Sequence, residues 1–304
     1  MAKPSATRRD LYEDVTSKIL VALESGTAPW SCPWDRSGEI TLPINESTGA
    51  FYQGINIPML WMAQHERGFS SARWITYRQA NDKGGQVREG EKGTAIIFYK
   101  TLERDSGRVD AGTGEALVDQ IPMLRSFTVF NLDQIDGIDA PLLPAASSGF
   151  DPIAIGEAVM QASGVAVLHG GTRAYYLPGA DTITLPDRVR FAQAEDYYAT
   201  ALHELCHATK HPTRCDRKRY VHENSKVSYA FEELVAEMGA AFLMAALGIS
   251  GDVRDHADYL DSWLTLLRQD KRAIFKAAAQ AQKAANWALD ARAAVTTQPA
   301  EHRA

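Results

Sequence analysis

The residues best equipped for chemistry stand at 203–207, where the chain reads His203-Glu204-Leu205-Cys206-His207. On an α-helix, residues four apart share a face, so both imidazoles reach one point in space. Two imidazoles so placed begin a divalent-metal site. Glu204, beside the first of them, is positioned to take a proton from a water held there. Tyr198, Leu202, Leu205 and Cys206 surround the motif with apolar surface, as an amphipathic helix requires.

A catalytic site of this kind needs a third protein ligand. A metzincin-type continuation would place glycine three residues after His207 and histidine three further on. Lys210 and Thr213 occupy those positions and exclude it. A gluzincin-type site draws a glutamate from a following helix, and Phe231-Glu-Glu-Leu-Val-Ala-Glu237 supplies one. Glu233 and Glu237 resemble the gluzincin ExxxD pair, with Glu in place of Asp. On that match Glu233 binds the metal and Glu237 orients a ligand histidine through its other ring nitrogen. Leu234, Val235, Ala236 and Met238 make this helix apolar almost all round, and carboxylates in such a helix need partners. Glu232 and Glu237 remain rival ligands, and His211 and His222 weaker ones. Zinc is the expected ion, and manganese or cobalt suits the same donors. The expected chemistry is hydrolysis, in which the ion acidifies a water and polarises a carbonyl while Glu204 acts as general base and later as proton donor. Tyr229 is a candidate oxyanion helper, against the plainer reading that it only packs.

These side chains need a scaffold. Apolar periodicity predicts a helix over 153–163, short strands over 166–168, 174–176 and 182–185, and long helices over about 191–210, 228–247 and 254–289. The strand at 181–186 either pairs with an extended peptide as an edge or is core sheet. Before it, residues 139–152 hold three prolines, two serines and a glycine, which is linker chemistry. The expected division is a first domain over 1–140, a linker over 141–152, a second domain over 153–290 and a tail over 291–304. The first domain opens with a helix from Leu11 that stops at Gly26. A second helix follows over 57–67, a strand starts at Trp74, and a helix covers 79–83. Strands are expected over 94–99 and 124–131, with a polar hairpin loop over 103–116 between them. The fold class is α+β, with a mostly antiparallel sheet in the first half.

The chain has 304 residues and a net charge of −6, which excludes a polybasic coat for duplex DNA. No apolar run is long enough to span a bilayer, and no apolar signal core follows the polar N-terminus. Three cysteines, Cys32, Cys206 and Cys215, form no disulfide framework, and a reducing cytoplasm fits them. No heptad run appears, and a monomer is expected. One stretch departs from the average: from Arg67 to Arg108 nine Lys and Arg face five Asp and Glu, a local balance of +4. Trp74, Tyr77, Phe98 and Tyr99 lie inside it, with Trp30, Trp34 and Tyr52 upstream. Cations interleaved with aromatics can hold a single strand by stacking and phosphate contacts. The candidate contacts are Trp30, Trp34, Tyr52, Arg73, Trp74, Tyr77, Arg78 and Lys92, against the alternative of core aromatics with a solvated edge.

The chain resembles the ArdC antirestriction family of conjugative plasmids, from about Leu11 to Trp287. The resemblance is carried by Leu23-Glu-Ser-Gly-Thr-Ala-Pro-Trp30, Tyr52-Gln-Gly-Ile-Asn56, Trp74-Ile-Thr-Tyr-Arg-Gln-Ala80, Gly85-Gln-Val-Arg-Glu-Gly-Glu-Lys-Gly93, the His203–His207 motif and Glu232-Glu-Leu-Val-Ala-Glu237. It implies an N-terminal domain that binds single-stranded DNA and a C-terminal zincin-like metallopeptidase domain. It also implies a role in protecting incoming DNA from restriction during conjugation. Two functions are consistent with it. In one, the metal domain cleaves a protein linked to host restriction. In the other, DNA binding does the protecting and the metal domain is structural or regulatory.

Overall fold

A computed structural model describes residues 10–30, 42–109, 116–138, 152–218, 220–250 and 257–297. The linker residues 139–151 and Trp34 lie outside these. In chain order the elements are α1 (Leu11–Glu24), β1 (Ile44–Asn45), α2 (Asn56–Arg67), β2 (Arg73–Thr76), α3 (Tyr77–Asp82), β3 (Gln86–Val87), β4 (Thr94–Val109), β5 (Ala116–Asn131) and β6 (Ile135–Asp136). Then come α4 (Pro152–Ala162), β7 (Ala166–His169), β8 (Tyr175–Leu177), β9 (Thr182–Leu185), α5 (Ala194–Ala208), α6 (Ser225–Leu247), α7 (Ala257–Gln269) and α8 (Ala273–Thr297). The class is α+β, and among the described residues no helix is long and apolar enough to cross a membrane.

The main sheet has the order β1-β2-β5-β4, antiparallel except for the β1–β2 pair. Its long pair corrects the expected loop over 103–116. Strand β4 continues to Val109 and β5 begins at Ala116, paired in register except for a bulge between Asp105 and Arg108. Glu103-Arg-Asp-Ser-Gly-Arg108 has no apolar alternation, so this part of the strand reads as loop from sequence. At its root the ribbon packs on α2, where Tyr52, Leu60, Ala63, Trp74 and Val129 form one buried cluster. The Asn56 side chain both donates to the Ile97 carbonyl and accepts from the Ile97 amide, which closes the outer edge of β4 at that point.

The second half layers a three-stranded sheet on a helical group. The sheet order is β7-β9-β8, so β9 is the central strand and its backbone is used on both sides. The edge is β8. The expected helix over 254–289 is two helices, α7 and α8. Asp270 breaks it: its side chain accepts from the Arg272 amide and its carbonyl from the Ala273 amide, a local turn that competes with helix. Helix α8 then runs past the expected tail boundary at 291 to Thr297. Ala291, Ala293 and Ala294 keep helix propensity high after apolar periodicity has gone.

The largest core cluster draws from both sides of the linker stretch. Asp10 caps α1 by accepting from the Tyr12 and Glu13 amides, and α1 buries Val15, Ile19 and Leu23. That face packs on α7, and the Thr16 hydroxyl donates to the Lys271 carbonyl at 2.8 Å. Trp30 meets Trp263 edge to face at 5.1 Å, and Trp61 meets Phe242 at 6.0 Å. The first helix and first tryptophan of the chain thus belong, by packing, with the helices of the second half.

Candidate metal centre

Helix α5 carries Glu195 and Asp196 in its first turn, where acidic charge suits the positive end of the helix dipole. Its next turns place His203 and His207 toward α6 and Glu204 on the cleft wall. Helix α6 starts at Asn224, whose side chain accepts from the Lys226 amide, and ends at Gly248 in the left-handed conformation. The two helices approach closely at Gly239: a Cβ there would lie 2.7 Å from Cys206 Sγ. Cys206, a position of no chemical interest in the motif, therefore sets how near α6 can come.

That approach brings three donors together. His203 Nε2 and His207 Nε2 are 3.1 Å apart. Glu233 Oε2 lies 3.5 Å from His203 Nε2, and its Oε1 lies 3.4 Å from His207 Nε2. All three ligand atoms fall within 4.8 Å of one another, and all three side chains are largely buried. A carboxylate sits at the far side of each ring, with Glu237 Oε1 3.5 Å from His203 Nδ1 and Glu232 Oε1 3.3 Å from His207 Nδ1. A proton on each Nδ1 leaves two Nε2 lone pairs converging on one point, an arrangement a cation satisfies. The donor set of two imidazoles and one carboxylate fits a divalent ion with room for a further ligand.

The protein groups themselves are strongly coupled. Burial disfavours charge on His207, but hydrogen bonds to Glu232 and Glu233 outweigh it and push the imidazole up to about 9. Burial likewise opposes the Glu233 anion, and the two histidines overcome it and hold the carboxyl far below the usual range. The Tyr229 phenol is pushed far up by burial and by its hydrogen bond to Glu233.

Of the expected site residues, His203, His207 and Glu233 come together, Glu204 lines the same cleft, and Tyr229 flanks it. Glu237 lies on the Nδ1 side of His203 rather than among the ligand atoms. Glu232, a rival ligand from sequence, sits on the Nδ1 side of His207 instead. His211 turns to Thr213, and His222 accepts from the Asn224 amide, so neither joins the cluster. The cleft is about 660 Å³. Its walls include Tyr175, Tyr176 and Pro178 at the β8 edge, together with Lys210, Arg217, Tyr220 and Tyr259. The sequence offered little sign of these: Arg217 stands in the run Asp216-Arg-Lys-Arg-Tyr220, which reads as a solvated charge run.

The expected DNA contacts divide differently. Trp30 and Trp74 are wholly buried and Tyr52 nearly so, so none of them can stack on a base. Arg73 is tied to Glu46 at 2.7 Å, and Lys83 to the same carboxylate at 3.1 Å. Glu46 lies outside the window that counted as +4, and it neutralises part of that charge. Burial raises the Glu46 carboxyl, but hydrogen bonds from Arg73 and Lys83 outweigh it and hold the group below the ordinary range. Tyr77, Arg78 and Lys92 are exposed. Sequence reading undervalued one face of the β4–β5 pair near its root. There Phe98 and Phe127 meet edge to face at 6.1 Å, each about half exposed, with Lys100 and Arg125 exposed beside them.

Two comparisons with solved structures and one with a curated relative decide the family. The antirestriction protein ArdC from plasmid R388, in its metal-free structure, superposes with a TM-score of 0.78 at 42% identity, covering 94% of this chain and 99% of that one. Its Mn(II)-bound structure superposes with a TM-score of 0.76 at 41% identity. The protein y4eC of Sinorhizobium fredii, which is uncharacterised, is 39% identical over 284 residues, 92% of each chain. This chain belongs to the ArdC antirestriction family. Residues 9–130 match the model of the N-terminal domain of anti-restriction factor ArdC, and residues 154–280 match that of a zincin-like metallopeptidase. A DNA primase TraC of Escherichia coli is 40% identical over 297 residues, but the match spans 93% of this chain and only 27% of the primase. The His203–His207–Glu233 cluster lies within the zincin-like half of this ArdC-family chain, as a divalent-metal centre should.

Proposed function

We propose that this protein is an antirestriction factor that binds single-stranded DNA and protects it as it enters a restricting cell by conjugation, and that its zincin-like half is a zinc-dependent hydrolytic centre acting on protein. The observation that carries the second part is the convergence of His203 Nε2, His207 Nε2 and a Glu233 oxygen beside Glu204 in an open cleft. A structural site closes all four positions with protein, whereas three donors facing a cleft leave one for water or substrate. Bound there, a divalent ion supplies Lewis acidity toward a water and a carbonyl oxygen. Glu204 takes the proton from that water and returns it to the leaving amine. Glu237 and Glu232 hold the two rings in one tautomer. Tyr229, at the cleft wall, is placed to donate to an oxyanion.

The DNA reading is supported by the exposed face of β4 and β5, where Phe98 and Phe127 offer ring surface and Lys100 and Arg125 offer charge. In a second reading DNA binding alone protects, since the exposed aromatic face stands on a different sheet from the cleft. Conjugation into a restricting recipient separates the two. Glu204→Gln is expected to keep metal and DNA binding and to lose protection, and Phe98→Ala with Phe127→Ala to lose protection through DNA. Full protection by Glu204→Gln would sink the hydrolytic reading and leave the DNA-binding one.

A further inference from the structure

Arg217 is a buried cation with no part in the chemistry above. Its side chain is 2% exposed, although it enters from the polar loop after α5. Its guanidinium donates to the Cys206 carbonyl at 3.0 Å, to the Thr209 hydroxyl, and to Glu232 Oε1 at 2.5 Å. Glu232 Oε1 is in turn 3.3 Å from His207 Nδ1. One chain of contacts therefore runs from the last turn of α5, through Arg217 and Glu232 of α6, back to a ring of α5.

Each link has a physical consequence. A guanidinium only donates, in a rigid planar fork, so its bonds to the α5 terminus fix where its remaining N–H groups point. Arg217 holds Glu232 Oε1 at 2.5 Å, with Lys210 farther off at 3.9 Å, so the arginine fixes where that oxygen sits. An oxygen held there by the guanidinium is placed to accept from His207 Nδ1, which leaves the lone pair on Nε2. Nε2 is the atom that faces His203 and Glu233. We propose that Arg217 is a positioning residue for the metal centre, setting the tautomer and orientation of His207 through Glu232. The proposal rests on the divalent-metal reading of the cluster. The competing account is that Arg217 merely caps α5.

The test is a chelator-competition titration of Mn(II) and Zn(II) on the full chain, with thermal melts alongside. It compares wild type, Arg217→Met, Arg217→Lys, Glu232→Gln and the doubles of each arginine variant with Glu232→Gln. Each single variant is expected to lose roughly ten- to hundredfold in metal affinity. Each double is expected to lose no more than its worse single, because one path is cut twice. Arg217→Lys keeps the charge but cannot reach three acceptors at once, so it serves where Arg217→Met does not fold. Wild-type affinity in either folded arginine variant would overturn the proposal, and so would losses that multiply in the doubles, which is the behaviour of a helix cap unconnected to His207. Failure of the wild type to take up metal, with His203→Ala no different, would instead overturn the metal reading itself.

Discussion

In α5 and α6 the candidate metal ligands are polar groups set into an almost wholly apolar pair of helices. In the N-terminal half the groups read as base-stacking are aromatics, and of the described ones Trp30, Tyr52 and Trp74 are core while Tyr77 is exposed. The contrast follows from what burial costs. A carboxylate or imidazole enclosed by apolar surface is unstable without a partner, so its presence at helical spacing already announces a site. A tryptophan gains from burial, and its presence announces nothing beyond a core. Trp30, Tyr52 and Trp74 took the ordinary course. Phe98 and Phe127 did not: their rings stay about half exposed on β4 and β5.

Four experiments would break or sharpen that contrast. The largest effect is expected at the helices: His203→Ala should lose stoichiometric metal in elemental analysis of the purified protein. Retention of one ion per chain would mean that the cluster is not the site. Next is the shared core. Trp263→Ala should destabilise by about 3–5 kcal/mol and, since Trp263 packs on Trp30, should lower a single unfolding transition common to both halves. Two separated transitions in the wild type would show that the halves are energetically independent.

The third test is at the sheet. Phe98→Ala or Phe127→Ala should weaken single-stranded DNA binding by about 1–3 kcal/mol per base lost from a ring, with little change in melting temperature. Trp74→Ala should do the reverse. Equal effects on DNA affinity from Trp74 and Phe98 would remove the distinction between core and surface aromatics. The smallest effect concerns Glu46. Its folded carboxyl lies below the ordinary value of 4.5, so the stability it contributes is present above that pH and is lost as pH falls through the lower folded value. The difference in melting temperature between wild type and Glu46→Gln should therefore be full near neutrality and shrink in acid. A difference that grows in acid would contradict the assignment.

Much of the scaffold was legible. Helices α1, α2, α4, α5 and α6 and strands β2, β7 and β9 appear close to where apolar spacing puts them. The ribbon and the α7–α8 break were not legible, since the polar run 103–108 shows no apolar alternation and a single Asp270 looks like any surface residue. In the site, the histidines and Glu233 could be found by spacing. The roles of Glu232 and Arg217 could not, because nothing in a charge run distinguishes the member that turns inward.

The sequence by itself determined the chemistry on offer: two imidazoles one helical turn apart, a carboxylate beside them, and three more on an apolar helix. It also determined the family, through strings spread over most of the chain. Only the tertiary structure decided which glutamate faces which ring nitrogen, that β8 rather than β9 is the free edge at the cleft, and which aromatics remain on the surface. Those outcomes depend on how closely α6 meets α5 across Gly239 and Cys206, and on how α2 lies across β4. Both are distances between elements remote in the chain, and neither is encoded in local spacing.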